Sequence, residues 1–143
     1  MTSALSEALF KKDLDAVQRR ASTIFFWLLG AQWLLGIVLA VWISPRTWTG
    51  AEGSTHLHVY LAVLLGGAIS GLPMLLLKTH PTWVVTRHVT VVAQMLWSAL
   101  LIHITGGSPE GHFHILVALV LVSIYVDVRA YALGVGYIVV HHL

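Results

Sequence analysis

The chain has 143 residues, 57% of them hydrophobic and 10% charged. Soluble domains carry nearer a quarter of their residues as charges, and one this small has too little interior for so many Leu, Val, Ile and Trp side chains, so the composition excludes an ordinary water-soluble fold. A net charge of +2 with no basic stripe argues against nucleic acid, and the absence of cysteine excludes disulfides, thiolate metal sites and cysteine nucleophiles.

Residues 1–20 are polar, with Leu5, Leu9, Leu14 and Val17 near helical spacing, which predicts a short amphipathic lead-in helix. The apolar run from Ala21 to Ile43 is too long for the core of a secretory signal and long enough to cross a bilayer. Ser44-Pro45 ends it, and a Gly/Ser/Thr loop is expected to reach Thr55, the N-cap of a second span over His56 to Leu77 that Pro73 should kink. After the Lys78–Pro81 turn, a third span runs from Trp83 to Ile104. Its Thr90, Gln94 and Ser98 should face other helices rather than lipid. Gly106-Gly107 breaks it, and Ser108-Pro109-Glu110 reads as the start of a fourth helix to Val126, with a carboxylate near the positive end of the dipole. Asp127 and Arg129, in the next turn, are expected to neutralise each other or face water. A fifth helix from Ala130 is still apolar at Leu143, where it has risen only ~21 Å of a ~30 Å hydrocarbon core, so the chain reads as stopping early. The predicted fold is all-α: a polytopic transmembrane bundle of about five membrane helices over residues 21–143, preceded by the lead-in at 1–20.

In this topology Lys11, Lys12, Arg19, Arg20, Lys78, Arg87 and Arg129 fall on one side and only Arg46 on the other. The positive-inside rule then puts the N-terminus in the cytoplasm. His56, His58, His103, His112, His114, His141 and His142 gather at the outer end, leaving His80 and His88 toward the inner one. Imidazole is costly in lipid unless it faces the bundle interior, pairs or binds something, and it is a common neutral metal ligand. Three or four imidazoles from separate helices suit copper or zinc without thiolate. Residues two apart on a helix diverge by ~200°, so His112 and His114, or His56 and His58, are not expected to share one ion. His141 and His142 differ by ~100°, so one could ligate while the other supports it. Several sites, or a small cluster, are therefore as consistent with the spacing as one centre. Glu110 is a candidate to orient an imidazole, although capping also accounts for it. Met95 reads as core, and Gly66, Gly67 and Gly71 as sites of close helix contact. No P-loop, Ser/His/Asp grouping or carboxylate pair is present.

Several pieces then fall in one order: Thr86-Arg87-His88; Gln94-Met95-Leu96 with Ser98-Ala99-Leu100-Leu101-Ile102-His103; Gly106-Gly107; Glu110; His112-Phe113-His114; and Tyr125, Asp127 and Arg129. Together with the opening of the second span from Leu57, they resemble the N-terminal membrane region of bacterial signalling proteins. In that family the region precedes histidine kinase, diguanylate cyclase or chemoreceptor modules. The resemblance implies a sensor input domain in a bacterial inner membrane, followed in the intact protein by a further helix and a cytoplasmic output module.

The sequence therefore leads to a non-enzymatic, membrane-embedded metal sensor, with copper ahead of zinc and a homodimer expected. The ligand candidates are His103 and His114 first, joined by His58, His112 and His141 or His142, on the periplasmic side. The alternatives are a b-type haem protein, with His88 and His103 on the third span, and, ranked last, a metal-dependent membrane enzyme.

Overall fold

No Gly or Pro interrupts the chain from Thr2 to Leu29, so nothing breaks the helix where the polar lead-in meets the apolar run. In the computed structural model, which describes residues 2–43, 46–49, 52–55, 57–107 and 109–141, the two are one continuous helix, α1, Thr2–Ile43. The expected separate lead-in is thus the N-terminal half of a 42-residue rod. The expected loop is instead an antiparallel hairpin, β1 (Arg46–Thr49) and β2 (Glu52–Thr55), in which Arg46 pairs with Thr55 and Thr49 with Glu52. Three β-branched threonines, Thr47, Thr49 and Thr55, among its eight paired residues favour the extended backbone. Thr55 closes β2, so a strand residue stands where a helix N-cap was expected. Ser44, Pro45, His56, Ser108 and His142, each singled out in the sequence, lie outside the described residues.

Helix α2 covers Leu57–Thr79 and carries one π-helical turn, Leu61–Leu65. Pro73 lies inside its regular α-helical part, which continues to Thr79. Helix α3, Val84–Ile104, follows the expected third span within a residue. It ends where Gly106 (φ 67°) and Gly107 (φ 83°) take the left-handed conformation that glycine adopts without penalty, and Gly107 N–H reaches back to Ile102 O at 2.8 Å. Helix α4, Pro109–Val122, tightens into a 3-10 turn at Ser123–Tyr125 and stops at Val126, whose φ of 52° is unusual for a β-branched residue. Helix α5 runs Val128–His141.

Contacts fix an up-and-down order. Ser22, Leu29 and Trp33 of α1 bond to Pro81, Ser70 and Val63 in turn, so α1 and α2 are antiparallel. Gln18 meets Arg87 and Gln32 meets Gln94, so α1 and α3 are parallel. Arg87 bonds Asp127 while Ser98 meets His114, which turns α4 back along α3. A β-carbon on Gly134 of α5 would touch both Leu119 of α4 and Val91 of α3.

Helix α3 is the centre: 61% of its most apolar stretch is buried, against 28% and 22% for α1 and α2. Lipid tails are as apolar as leucine, so helices in a membrane associate through close packing and hydrogen bonds. Trp97 supplies both. Its fully buried ring lies where β-carbons on Gly36 or Gly66 would sit 2.8 or 2.9 Å from it. Its indole N–H donates to Ser70 Oγ at 2.9 Å, and Ser70 donates onward to Leu29 O at 3.3 Å. Three helices are joined through one side chain. A β-carbon on Gly67 would sit 3.0 Å from the ring of Trp33, whereas one on Gly71 would meet nothing within 4 Å, so two of the three glycines expected at close contacts make them.

Outside this interior the helices present apolar side chains such as Trp27, Leu34, Leu64, Leu72 and Val120, all largely exposed. Three helices, Ala4–Ile43, Leu57–Thr79 and Val84–Ile104, are long and apolar enough to cross a bilayer; two apolar segments, His112–Tyr125 and Val128–His141, are shorter. The chain is an all-helical membrane protein apart from the hairpin.

Candidate functional site: the histidine end of the bundle

Up-and-down packing carries the start of α2, the end of α3, the start of α4 and the end of α5 to one end of the bundle, and with them His58, His103, His112, His114 and His141. His58 and His103 meet across the α2–α3 interface with ring centroids 5.0 Å apart and planes at 71°, an edge-to-face pair. His58 is half-buried and His103 exposed.

His114 is held differently. The Gln32 side-chain N–H₂ donates to Gln94 Oε1 at 2.9 Å and lies 2.9 Å from His114 Nε2. Gln94 returns a bond to Gln32 Oε1 at 3.0 Å, and Ser98 Oγ lies 2.8 Å from His114 Nδ1. The roles can be assigned by elimination. An amide N–H₂ only donates, so Nε2 accepts and the ring proton is on Nδ1. Nδ1–H then donates to Ser98 Oγ, whose own proton goes to Gln94 O at 3.0 Å. Neutral His114 completes a chain of donors and acceptors joining α1, α3 and α4 in the bundle interior. Both ring nitrogens are engaged, so His114 would have to release one of these partners to ligate an ion.

His112 is exposed on the first turns of α4. His141 is exposed at the end of α5, with its ring 5.6 Å from that of Tyr137. Among the described residues no three His, Asp or Glu side chains converge on a common point that could hold an ion. The structure therefore brings together one pair, His58 with His103, and assigns His114 to a hydrogen-bond network. His56, His142 and the side chain of Glu110 lie outside the described residues. At the other end, His88 Nδ1 is 2.8 Å from Val84 O within its own helix, and His80 contacts Thr79 and the ring of Trp83.

That opposite end is tied by charge. Arg87, only 8% exposed, has Nε 2.8 Å from Asp127 Oδ2. One of its terminal nitrogens donates to Gln18 Oε1 at 3.0 Å and to Thr82 O at 2.9 Å. The second Asp127 oxygen accepts from Arg129 N and Ala130 N, which caps α5. Burial opposes the Asp127 charge, but the Ala130 N–H, the Arg87 guanidinium and the Arg129 N–H outweigh it and hold the carboxyl below its ordinary range. This corrects the expected Asp127–Arg129 pairing: Arg129 gives Asp127 only its backbone N–H, and the charge partner is Arg87, 40 residues away.

Thr90, Gln94 and Ser98 are buried against other helices, as their place on an apolar span predicts. Gln18, Gln32 and Ser70 were not singled out in the sequence, yet each anchors a bond between helices. A glutamine in mid-span is signal enough, because lipid offers its amide no partner.

Comparison of the chain with protein-family models, with curated proteins and with solved structures gives no match. The class defined by fold and composition is that of a helical membrane protein, with imidazoles collected at one end of its bundle and an ion-pair clasp at the other.

Proposed function

We propose that this chain is the membrane-embedded metal-sensing input domain of a bacterial signal-transduction protein, with copper favoured over zinc. The two shorter apolar helices complete five spans, with the N-terminus cytoplasmic and the histidine end periplasmic. The observation that carries the reading is the His58–His103 pair, two imidazoles from separate helices with ring centroids 5.0 Å apart. Two imidazole nitrogens bound to one ion at ~2.0–2.1 Å each come within ~3–4 Å of one another, a separation that small ring rotations reach from this geometry. The remaining ligands are drawn from His112, His141, His142 and, after release from its network, His114. Imidazole without thiolate suits divalent copper or zinc, and the general affinity order puts copper first.

Sensing requires the ion to prefer one bundle arrangement over another. A ligand set spanning α2 to α5 would draw their outer ends together, and a homodimer with a cytoplasmic kinase, cyclase or chemoreceptor module would read the change. The test is elemental analysis of detergent-purified protein together with thermal melts at increasing copper or zinc. Retained metal and a melting temperature that rises with added ion, both lost in His103→Ala, are expected. Metal-free protein with an unmoved melt rejects the reading. A Soret band in the same preparation would replace the ion by haem b.

A further inference from the structure

At the Arg87 end of the bundle, opposite the His58–His103 pair, a cleft of about 440 Å³ opens between α1 and the last turn of α2. Of the residues that line it, Arg19, Lys78 and Thr23 are exposed, Phe26 is half-buried, and Ser22 and Leu77 are buried, so the two cations are outermost and the apolar floor of Phe26 and Leu77 lies deeper. Ser22 donates to Pro81 O at 2.7 Å, which holds the 80–83 turn against α1 and fixes the far wall. Thr23 donates to Arg19 O at 3.1 Å. Both hydroxyl protons are therefore committed, which leaves Arg19 and Lys78 as the lining side chains with N–H donors to offer. Neither has a carboxylate: among the described residues the one ion pair is Arg87–Asp127. Arg19 lies two residues before the apolar run at Ala21, and Lys78 is in the last turn of an apolar helix, so both cations stand at the boundary between apolar and polar surface.

We propose that this cleft is a binding site for the phosphate headgroup of an anionic phospholipid. Paired cations above an apolar floor match the chemistry of such a lipid: the phosphodiester accepts from Arg19 and Lys78, and the first methylenes of the acyl chains lie on Phe26 and Leu77. Basic pockets between membrane helices take phospholipid headgroups by this combination. A free phosphate would satisfy the cations and leave the apolar floor uncovered, so the site takes the lipid form. The inference is independent of the metal reading, since it uses neither the histidines nor the bundle end that holds them.

The experiment measures thermal melts of the full detergent-purified chain with added phosphatidylglycerol, phosphatidylcholine or inorganic phosphate, alongside native mass spectrometry for retained lipid. Phosphatidylglycerol alone should raise the melting temperature and remain bound. Arg19→Gln and Lys78→Gln should each weaken its binding roughly 5-fold, the equivalent of ~1 kcal/mol per cation at an anionic surface. Both side chains are exposed, so the variants should keep the wild-type helical circular dichroism. Lys11→Gln/Lys12→Gln, which removes the same charge from the polar half of α1, should leave retention unchanged. Equal stabilisation by phosphatidylcholine overturns the proposal. So does an effect reproduced by inorganic phosphate, or one abolished by the Lys11/Lys12 variant as completely as by the Arg19/Lys78 variants.

Discussion

Opposite charges meet at the Arg87 end of this bundle, and like groups meet at the His58 end. Arg87 and Asp127 bring together α3 and the α4–α5 turn, Gln18 adds α1, and the second Asp127 oxygen caps α5. At the far end two imidazoles stand edge to face, and three more histidines lie on neighbouring helix ends. A buried ion pair satisfied by further hydrogen bonds is costly to disturb. Imidazoles can change proton, partner or ligand at physiological pH. One end has the chemistry of a fixed joint and the other that of side chains able to exchange partners.

The contrast breaks most severely if the clasp is cut. Asp127→Ala leaves the Arg87 guanidinium buried without its counter-charge and should cost ~3–5 kcal/mol, read as a collapse of the melting temperature in detergent. The double variant Arg87→Met/Asp127→Leu should be clearly milder, because no lone charge remains. The same pair sets an acid limit. The folded Asp127 carboxyl lies below its ordinary value of 3.8, so its contribution is complete above that pH and is lost as pH falls through the folded value. Wild-type melts should therefore drop below about pH 4, and those of Asp127→Asn should drop less.

At the other end, if the proposed metal site is correct, His103→Ala should weaken copper binding at least ~100-fold, an effect of ~2.7 kcal/mol, with little change in the apo-protein melt. Isothermal titration of both forms checks it, and His88→Ala serves as the comparison that should bind as wild type. Between the ends, Gly66→Ala would press a methyl group against the Trp97 ring and should cost ~1–3 kcal/mol, whereas Gly71→Ala, with nothing near it, should be neutral in the same melt. The smallest effect is expected for Gln94→Leu, about 1 kcal/mol, because hydrogen bonds between membrane helices are individually modest. A double-mutant cycle with Gln32→Leu should give less than the sum of the singles if the reciprocal amide pair is intact.

What was legible in the sequence follows from how local each cause is. The limits of α3 were readable because Gly106-Gly107 must end a helix and Thr90, Gln94 and Ser98 must avoid lipid. The continuity of α1 across residue 20 was readable in principle from the absence of Gly and Pro between residues 2 and 29, but the change from polar to apolar composition there suggested a boundary that the backbone ignores. Partners far apart in sequence were the hardest to find. Arg87 chooses Asp127 over any nearer carboxylate because the α3–α4 antiparallel packing brings that turn alongside, and no periodicity encodes this. The histidine end was legible as a set, since topology alone sorts the side chains to one end. Which of them touch was not, because ring contacts depend on helix rotation.

The unbroken length of α1 has a mechanical consequence. Forty-two residues make a rod of about 63 Å, roughly twice the hydrocarbon thickness of a bilayer. Gln32 fastens the rod to His114 through its amide, while the side chains of residues 4–10 are all exposed. A rod without a joint converts angle into distance: a tilt of ~5° about one end displaces the other by ~5 Å over this length. Because α1 is held at Gln18 and Ser22 as well as at Gln32, the lever beyond the last anchor is the stretch before Gln18, ~24 Å of rod that carries residues 4–10 with it.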